Sequence, residues 1–109
     1  MKNTTTKMRE DMGKAEKIQA QIDRVKQEIA GIGPIRPGSL SKQKRAWGKT
    51  YWHLSYYHRG QGHTAYVSEE QLKSVQQALQ NYREFQELCK ALIDYSLELA
   101  NLTEKENGS

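Results

Sequence analysis

The chain has 109 residues, 36% of them hydrophobic, with a formal net charge of +4 and a mean hydropathy of −0.92. This length fits one small domain and excludes a large catalytic fold, and no stretch approaches the roughly 18 apolar residues of a membrane span. Residues 1–10 lack the apolar core of a secretory signal, and the single Cys89 cannot form an internal disulfide. We therefore expect a cytoplasmic protein with no membrane partner.

The positive charge is concentrated in the middle of the chain. No Asp or Glu occurs between Glu28 and Glu69, and this segment holds six of the 17 Lys and Arg residues. It also contains all three histidines, both tryptophans and four of the six tyrosines. The simplest interpretation is a solvated basic surface, and the functional interpretation is an anionic partner.

Apolar residues at spacings of three and four predict an N-terminal helix over residues 5–30. The stripe consists of Met8, Met12, Ala15, Ile18, Ile22, Val25 and Ile29. Gly31, Gly33 and Pro34 predict its end, because glycine costs helix stability and proline lacks a backbone donor. We interpret residues 34–50 as a basic loop.

Alternation of side chains predicts a β-hairpin over residues 51–67. The face expected to pack in the core carries Trp52, Leu54 and Tyr56. The opposite face carries Tyr51, His53, Ser55 and Tyr57. Gly60 and Gly62 are expected to supply the positive φ angles that hairpin loops often need.

Ser68 and Gln71 fit a capping box, which predicts the start of a long helix over residues 68–102. Two heptad stripes follow, offset by one residue: Leu72, Val75, Leu79 and Tyr82, then Phe85, Leu88, Leu92, Tyr95, Leu99 and Leu102. Each stripe is narrow, so the helices need to pack as an antiparallel hairpin or against a second copy, and we expect a homodimer. Residues 103–109 are interpreted as a loose tail.

These elements predict one domain over residues 1–109 of the α+β class, mainly α. Its order is N-terminal helix, central β-hairpin and long C-terminal helix.

Bases and aromatic residues alternate in SKQKRAWGKTYWHLSYYHRGQGH. Cationic side chains neutralise phosphates and aromatic rings stack on exposed bases, so the pattern favours nucleic acid or a phosphorylated nucleotide as partner. The candidate phosphate-binding residues are Arg36, Ser39, Lys42, Lys44, Arg45, Lys49 and Arg59. The candidates for base stacking or base-edge contacts are Trp47, Tyr51, His53, Tyr57 and His63.

Metal binding and catalysis are weaker interpretations. His53 and His63 would face each other across the hairpin, but no Cys pair or nearby acid completes a zinc site. Cys89 is interpreted as an inert thiol near the apolar stripe of its helix. The chain has no Walker, GxGxxG or HExxH motif. We therefore expect no enzyme activity, no metal and no cofactor.

Three segments carry a resemblance: IRPGSL, WGKTYWHLSYYHRGQGHTAYV and NYREFQELCKALIDYSLEL. Over residues 20–102 the chain resembles a family of small uncharacterised prokaryotic proteins found in mobile elements, sometimes beside transposases. The matching residues are Gly38, Ser39, Leu40, Tyr66, Val67, Asn81, Tyr82, Arg83 and Phe85. Many members carry a C-G-K-x-x-C pattern where this chain has Trp47, Gly48 and Lys49, so a metal knuckle is absent here. The resemblance implies an accessory protein of a mobile element or phage, without enzyme activity.

The sequence therefore predicts a small non-catalytic nucleic-acid-binding accessory protein that uses its basic aromatic hairpin. Two alternatives remain open. The same residues would suit a phage-type sponge that sequesters a phosphorylated nucleotide signal in a pocket between subunits. The helical stripes would suit a protein-interaction adaptor or inhibitor whose basic face meets an acidic partner protein.

Overall fold

The computed structural model describes residues 2–45 and 47–107, with side chains at 13–45 and 47–105. Its elements are α1 (Lys2–Ala30), β1 (Ser39–Lys44), β2 (Thr50–His58), β3 (Gln61–Val67) and α2 (Glu69–Asn107). This order confirms the predicted α+β class, with one helix before the strands and one after them in the sequence. The described residues form two compact units, one of α1 with α2 from Glu87 onward and one of residues 32–86. A single domain stays a prediction.

In the first unit, α1 buries part of the apolar stripe that its sequence predicts. Ile22 and Val25 are 5% and 6% exposed, whereas Met8 and Met12 lie outside the residues whose side chains are described. Ile22 and Leu99 of α2 line one open groove of about 730 Å³. The two helices therefore lie side by side within this unit.

The second unit packs one face of an antiparallel sheet against α2. The strand order is β1-β2-β3, and the core joins Leu54 and Val67 of the sheet to Val75 and Leu79 of α2. Leu54 in the central strand is 0% exposed, and such burial contributes about 1.5–3 kcal/mol. The same face carries the two half-buried rings that the alternation predicts for the core, Trp52 and Tyr56.

The interpretation of residues 34–50 as a loop is wrong for Ser39–Lys44, which form β1. This strand lies at the edge of the sheet, paired with β2. Its sequence resembles a loop because Leu40 alone among its side chains packs against the core. Lysines such as Lys42 are typical of edge strands, where their charge discourages pairing with another chain.

The predicted hairpin is confirmed, with a tighter turn than the sequence suggested. Arg59 and Gly60 alone connect β2 to β3, which starts at Gln61. Their φ angles are +52° and +78°, both positive as in a type I′ turn. The expectation of a positive φ at Gly62 is wrong, because this residue lies inside β3, opposite Tyr57.

A capping box starts α2, as predicted. The Gln71 N–H donates to Ser68 Oγ and the Ser68 N–H donates to Gln71 Oε1, both at 3.3 Å. The Ser68 N–H has no helical acceptor, so the Gln71 side chain satisfies it, while the Gln71 N–H is shared between Ser68 Oγ and the Ser68 carbonyl at 3.1 Å. The prediction of a loose tail over 103–109 is wrong for residues 103–107, which continue α2, and no Gly or Pro interrupts the sequence between Glu69 and Gly108. The last two residues of that predicted tail lie outside the described part of the chain.

Neither described helix contains a stretch that is long and apolar enough to cross a membrane.

The connector between α1 and β1 is held against α2. Asn81 Nδ2 donates to the Pro34 carbonyl at 2.9 Å, and the Arg36 N–H donates to the Ala78 carbonyl at 3.1 Å. Gly38 then leads the chain into β1 with a φ of +128°, a conformation that residues with a Cβ rarely adopt. These contacts set where β1 begins, and thereby its register on β2.

Candidate nucleic-acid interface

The face of the sheet opposite α2 is open to solvent. In β2, Leu54 is fully buried whereas its neighbour Ser55 is exposed, because successive side chains of a strand point to opposite faces. Residues directly opposed on neighbouring strands share a face. The open face therefore carries Ser39, Ser41, Gln43, Tyr51, His53, Ser55, Tyr57, Gly62, Thr64 and Tyr66.

Four predicted site residues lie on this open face: Ser39, Tyr51, His53 and Tyr57. Tyr57 is 80% exposed, whereas Tyr51 and His53 are half-buried. Their rings meet edge to face, with centroids 6.5 Å apart. The open face thus combines a solvent-exposed ring with a packed aromatic pair.

A second group of predicted residues lies at the turn between β1 and β2. Lys44, Arg45, Trp47 and Tyr51 line a groove of about 330 Å³, at the lower end of ligand-site volumes. The Arg45 guanidinium lies 4.7 Å from the Tyr51 ring centroid, a cation–π distance, and Trp47 is 86% exposed. The Arg45 N–H donates to the Lys49 carbonyl at 2.8 Å, which holds Lys49 in the same turn.

Lys42 and Arg36 lie away from the open face. Lys42 is paired with Trp52 on the side of the sheet that faces α2, and its Nζ lies 5.7 Å from the Trp52 ring centroid. Arg36 is half-buried and lines a separate groove with Ser74 and Asn81 of α2. The structure does not bring these two cations together with the turn groove.

His63 also lies on the face toward α2. It is paired with Tyr56, and the two rings stack with centroids 5.1 Å apart. The expectation that His53 and His63 face each other is wrong, because the register places Tyr66 opposite His53. Among the side chains that the structure describes, no three His, Cys, Asp or Glu residues cluster as metal ligands would.

Cations stand at both ends of the open face with no acid among them. Arg45 and Lys49 lie at the turn before β2, and Arg59 lies in the turn after it. The nine residues of β2 span about 30 Å. The acid-free stretch of residues 29–68 contains the whole sheet and both turns. An anionic chain lying along β2 would therefore meet a cation at each end.

Two residues of the open face, Tyr66 and Gly62, form ring contacts there but were not among the predicted site residues. Tyr66 is 62% exposed, and its ring centroid lies 6.1 Å from that of Tyr51. Gly62 lies beneath the ring of Tyr57, and a Cβ built on it would be in van der Waals contact with that ring. The exposure of Tyr66 could have been predicted from its position next to the apolar Val67. Neighbours in a strand face opposite sides of the sheet, so a buried Val67 places Tyr66 on the open face. The position of Gly62 opposite Tyr57 depends on the pairing register of β2 and β3, which no local sequence pattern shows.

Comparisons of the chain with known protein families, curated protein sequences and solved structures gave no match. The motif residues Gly38, Leu40, Val67 and Asn81 nevertheless have defined places in this fold. Leu40 and Val67 belong to the core, while Gly38 and Asn81 fix the connector before β1. These four residues therefore have structural roles, and none of them is among the predicted binding residues.

Proposed function

We propose that the open face and its two basic turns form a non-catalytic nucleic-acid-binding module. The observation that carries the proposal is the segregation of charge: in the second unit every acid lies on α2, and none lies on the sheet beside the exposed rings. Lys and Arg contacts with phosphates provide affinity, and aromatic rings add contacts with bases. Such a module would suit an accessory protein of a mobile element or phage, the role that the sequence resemblance implies.

Fluorescence anisotropy of labelled single-stranded and double-stranded oligonucleotides, at low and near-physiological salt, tests the proposal. We expect affinity to fall steeply with salt, because bound cations release counterions from phosphates. The double variant Lys44→Glu, Arg45→Glu should bind at least ten-fold more weakly. On a single strand it should also reduce the salt slope, which is the slope of the logarithm of affinity against the logarithm of salt concentration. We expect a reduction of about 1.4, since each phosphate contact contributes about 0.7.

A double charge reversal on α1 provides the matched control. Lys14 and Lys17 are both exposed and lie outside the sheet, so Lys14→Glu, Lys17→Glu changes the net charge equally. This control should retain most of the affinity if the binding depends on the turn. Equal losses in the two double variants would indicate a response to net charge alone, and no binding at low salt would refute the proposal.

The groove at the β1–β2 turn favours a phosphorylated nucleotide as a second candidate ligand. It joins the two cations Lys44 and Arg45 to the rings of Trp47 and Tyr51 in one concave site. A single nucleotide would place its base against a ring and its phosphate at a cation. Tight binding of a free nucleotide with weak salt dependence, without binding of oligonucleotides, would favour this function.

The predicted homodimer stays part of the proposal. Ile93 and Leu97 lie one turn apart on α2 in the first unit, and they are 57% and 58% exposed. Adjacent exposed apolar side chains on one helix face support association with a second copy. Binding of a different protein to Ile93 and Leu97 would instead support the alternative function of a protein-interaction adaptor.

A further inference from the structure

The ring of Tyr57 presents one of its two faces to solvent. A Cβ built on Gly62 would lie 3.4, 3.7 and 3.9 Å from Cε1, Cζ and Cδ1 of this ring. These similar distances place Gly62 beneath the ring plane, so the ring lies flat across β3. Since Tyr57 is 80% exposed, its other face is accessible. This is the orientation that a stacking base requires.

Tyr66 provides a second exposed ring on the same face. It is opposite His53, four residues before Tyr57 along β2, a separation of about 13 Å. Tyr51 lies beside Tyr66, and Arg45 lies over Tyr51. A base stacked on Tyr66 would therefore lie at the same end of the sheet as the Arg45 guanidinium.

Small polar side chains lie between the two rings. Ser55 and Thr64 are paired across β2 and β3, and both are exposed. Their hydroxyl groups can each donate and accept a hydrogen bond. The sheet surface between the two rings therefore offers hydrogen-bond partners for base edges, and its small side chains leave space for a nucleic-acid strand to cross it.

We propose that the open face binds one strand of single-stranded nucleic acid, laid along β2, with bases stacked on Tyr57 and Tyr66. This inference rests on the proposed function and narrows it to one substrate class. Arg45 and Arg59, at opposite ends of the face, hold phosphates of the same strand. The separation of about 13 Å far exceeds the ~3.4 Å between stacked bases of a duplex strand, so the two bases do not stack on each other.

The exposed rings decide between a single strand and a duplex. A duplex stacks its bases on one another and offers only groove edges and phosphates, so neither tyrosine ring could contact a base face. A single strand leaves base faces accessible, and each base has such a face whatever the sequence. Binding through cations alone would accept a duplex equally well, so the duplex is the competing outcome.

The test compares labelled single-stranded DNA, single-stranded RNA and duplex DNA of matched sequence, by anisotropy at near-physiological salt. We expect one of the single strands to bind at least ten-fold more tightly than the duplex. The variant Tyr57→Ala, Tyr66→Ala should lose about 100-fold in single-strand affinity, because stacking is worth about ten-fold per ring. Its salt slope should be unchanged. The control Tyr57→Phe, Tyr66→Phe keeps both rings and should retain affinity.

The outcomes separate this inference from the proposed function. Duplex binding as tight as single-strand binding would overturn the inference, and so would single-strand affinity that survives the double alanine variant. If charge reversal at Lys44 and Arg45 still weakens binding in those cases, the nucleic-acid proposal stands without the single-strand inference. Absence of binding by every probe at low salt overturns both. Binding of the DNA or the RNA single strand more tightly than the duplex supports the inference. The tighter of the two single strands shows whether the partner is DNA or RNA.

Discussion

Replacement of Arg59 by asparagine should stabilise the protein and weaken nucleic-acid binding at the same time. Arg59 has a φ of +52° at the first central position of a two-residue hairpin turn. Left-handed angles cost most residues about 1–2 kcal/mol, whereas asparagine tolerates them and is preferred there. We expect Arg59→Asn to add about 0.5–1 kcal/mol to the free energy of unfolding. For a chain of this size that corresponds to a rise in Tm of roughly 2–8 °C.

The same substitution removes the cation at the far end of the open face. Loss of one phosphate contact should lower the salt slope on a single strand by about 0.7 and weaken affinity several-fold. Arg59→Lys is the matched control, because it keeps both the charge and the unfavourable angle, so stability and affinity should change little. Thermal unfolding by circular dichroism and anisotropy provide the two measurements. An asparagine variant that is no more stable, or that binds as tightly as the unmodified chain, would refute the reasoning.

Two further predictions concern the fold and the assembly. Gly38→Ala should cost about 3 kcal/mol or more in urea unfolding, because its Cβ would lie 2.6 Å from the Ser55 carbonyl oxygen at a φ of +128°. Gly48→Ala should cost only about 1 kcal/mol, since its φ is +84° with nothing within 4 Å; similar costs would contradict the close approach at Gly38. The chain should sediment as a dimer that Ile93→Glu, Leu97→Glu converts to a helical monomer, and a monomeric unmodified chain would contradict the homodimer.

The parts of the fold that local sequence patterns specify were predictable. The apolar spacing of α1 and the alternation of β2 are properties of consecutive residues. The capping box at Ser68 and Gln71 is likewise a signal within four residues. β1 was not predicted because it is an edge strand in which Leu40 alone packs against the core. Its other side chains are polar, so its sequence looks like that of a polar loop.

The parts of the candidate site that depend on register could not be predicted. Whether His63 or Tyr66 lies opposite His53 changes with the start of β3, and a shift of one residue moves every side chain to the other face. The start of β3 at Gln61 follows from the two-residue turn, in which Arg59 takes an angle that is typical of glycine or asparagine. An unusual residue in the turn thus concealed the register, and with it the role of Tyr66.

Two exposed rings and one unfavourable backbone angle of the second unit occur at the same sheet. Tyr57 and Tyr66 expose large rings to water although Tyr56, next in sequence to Tyr57, packs against the core. Arg59 holds an unfavourable φ at the end of the same sheet. Asparagine in the turn would suit the angle of Arg59 better, whereas tyrosine is favoured in strands and Tyr66 packs beside Tyr51, so the turn is the departure from local preference. Departures from local preference tend to gather at functional sites. The unfavourable angle of Arg59 at the end of the acid-free sheet therefore supports the proposed binding site independently of charge.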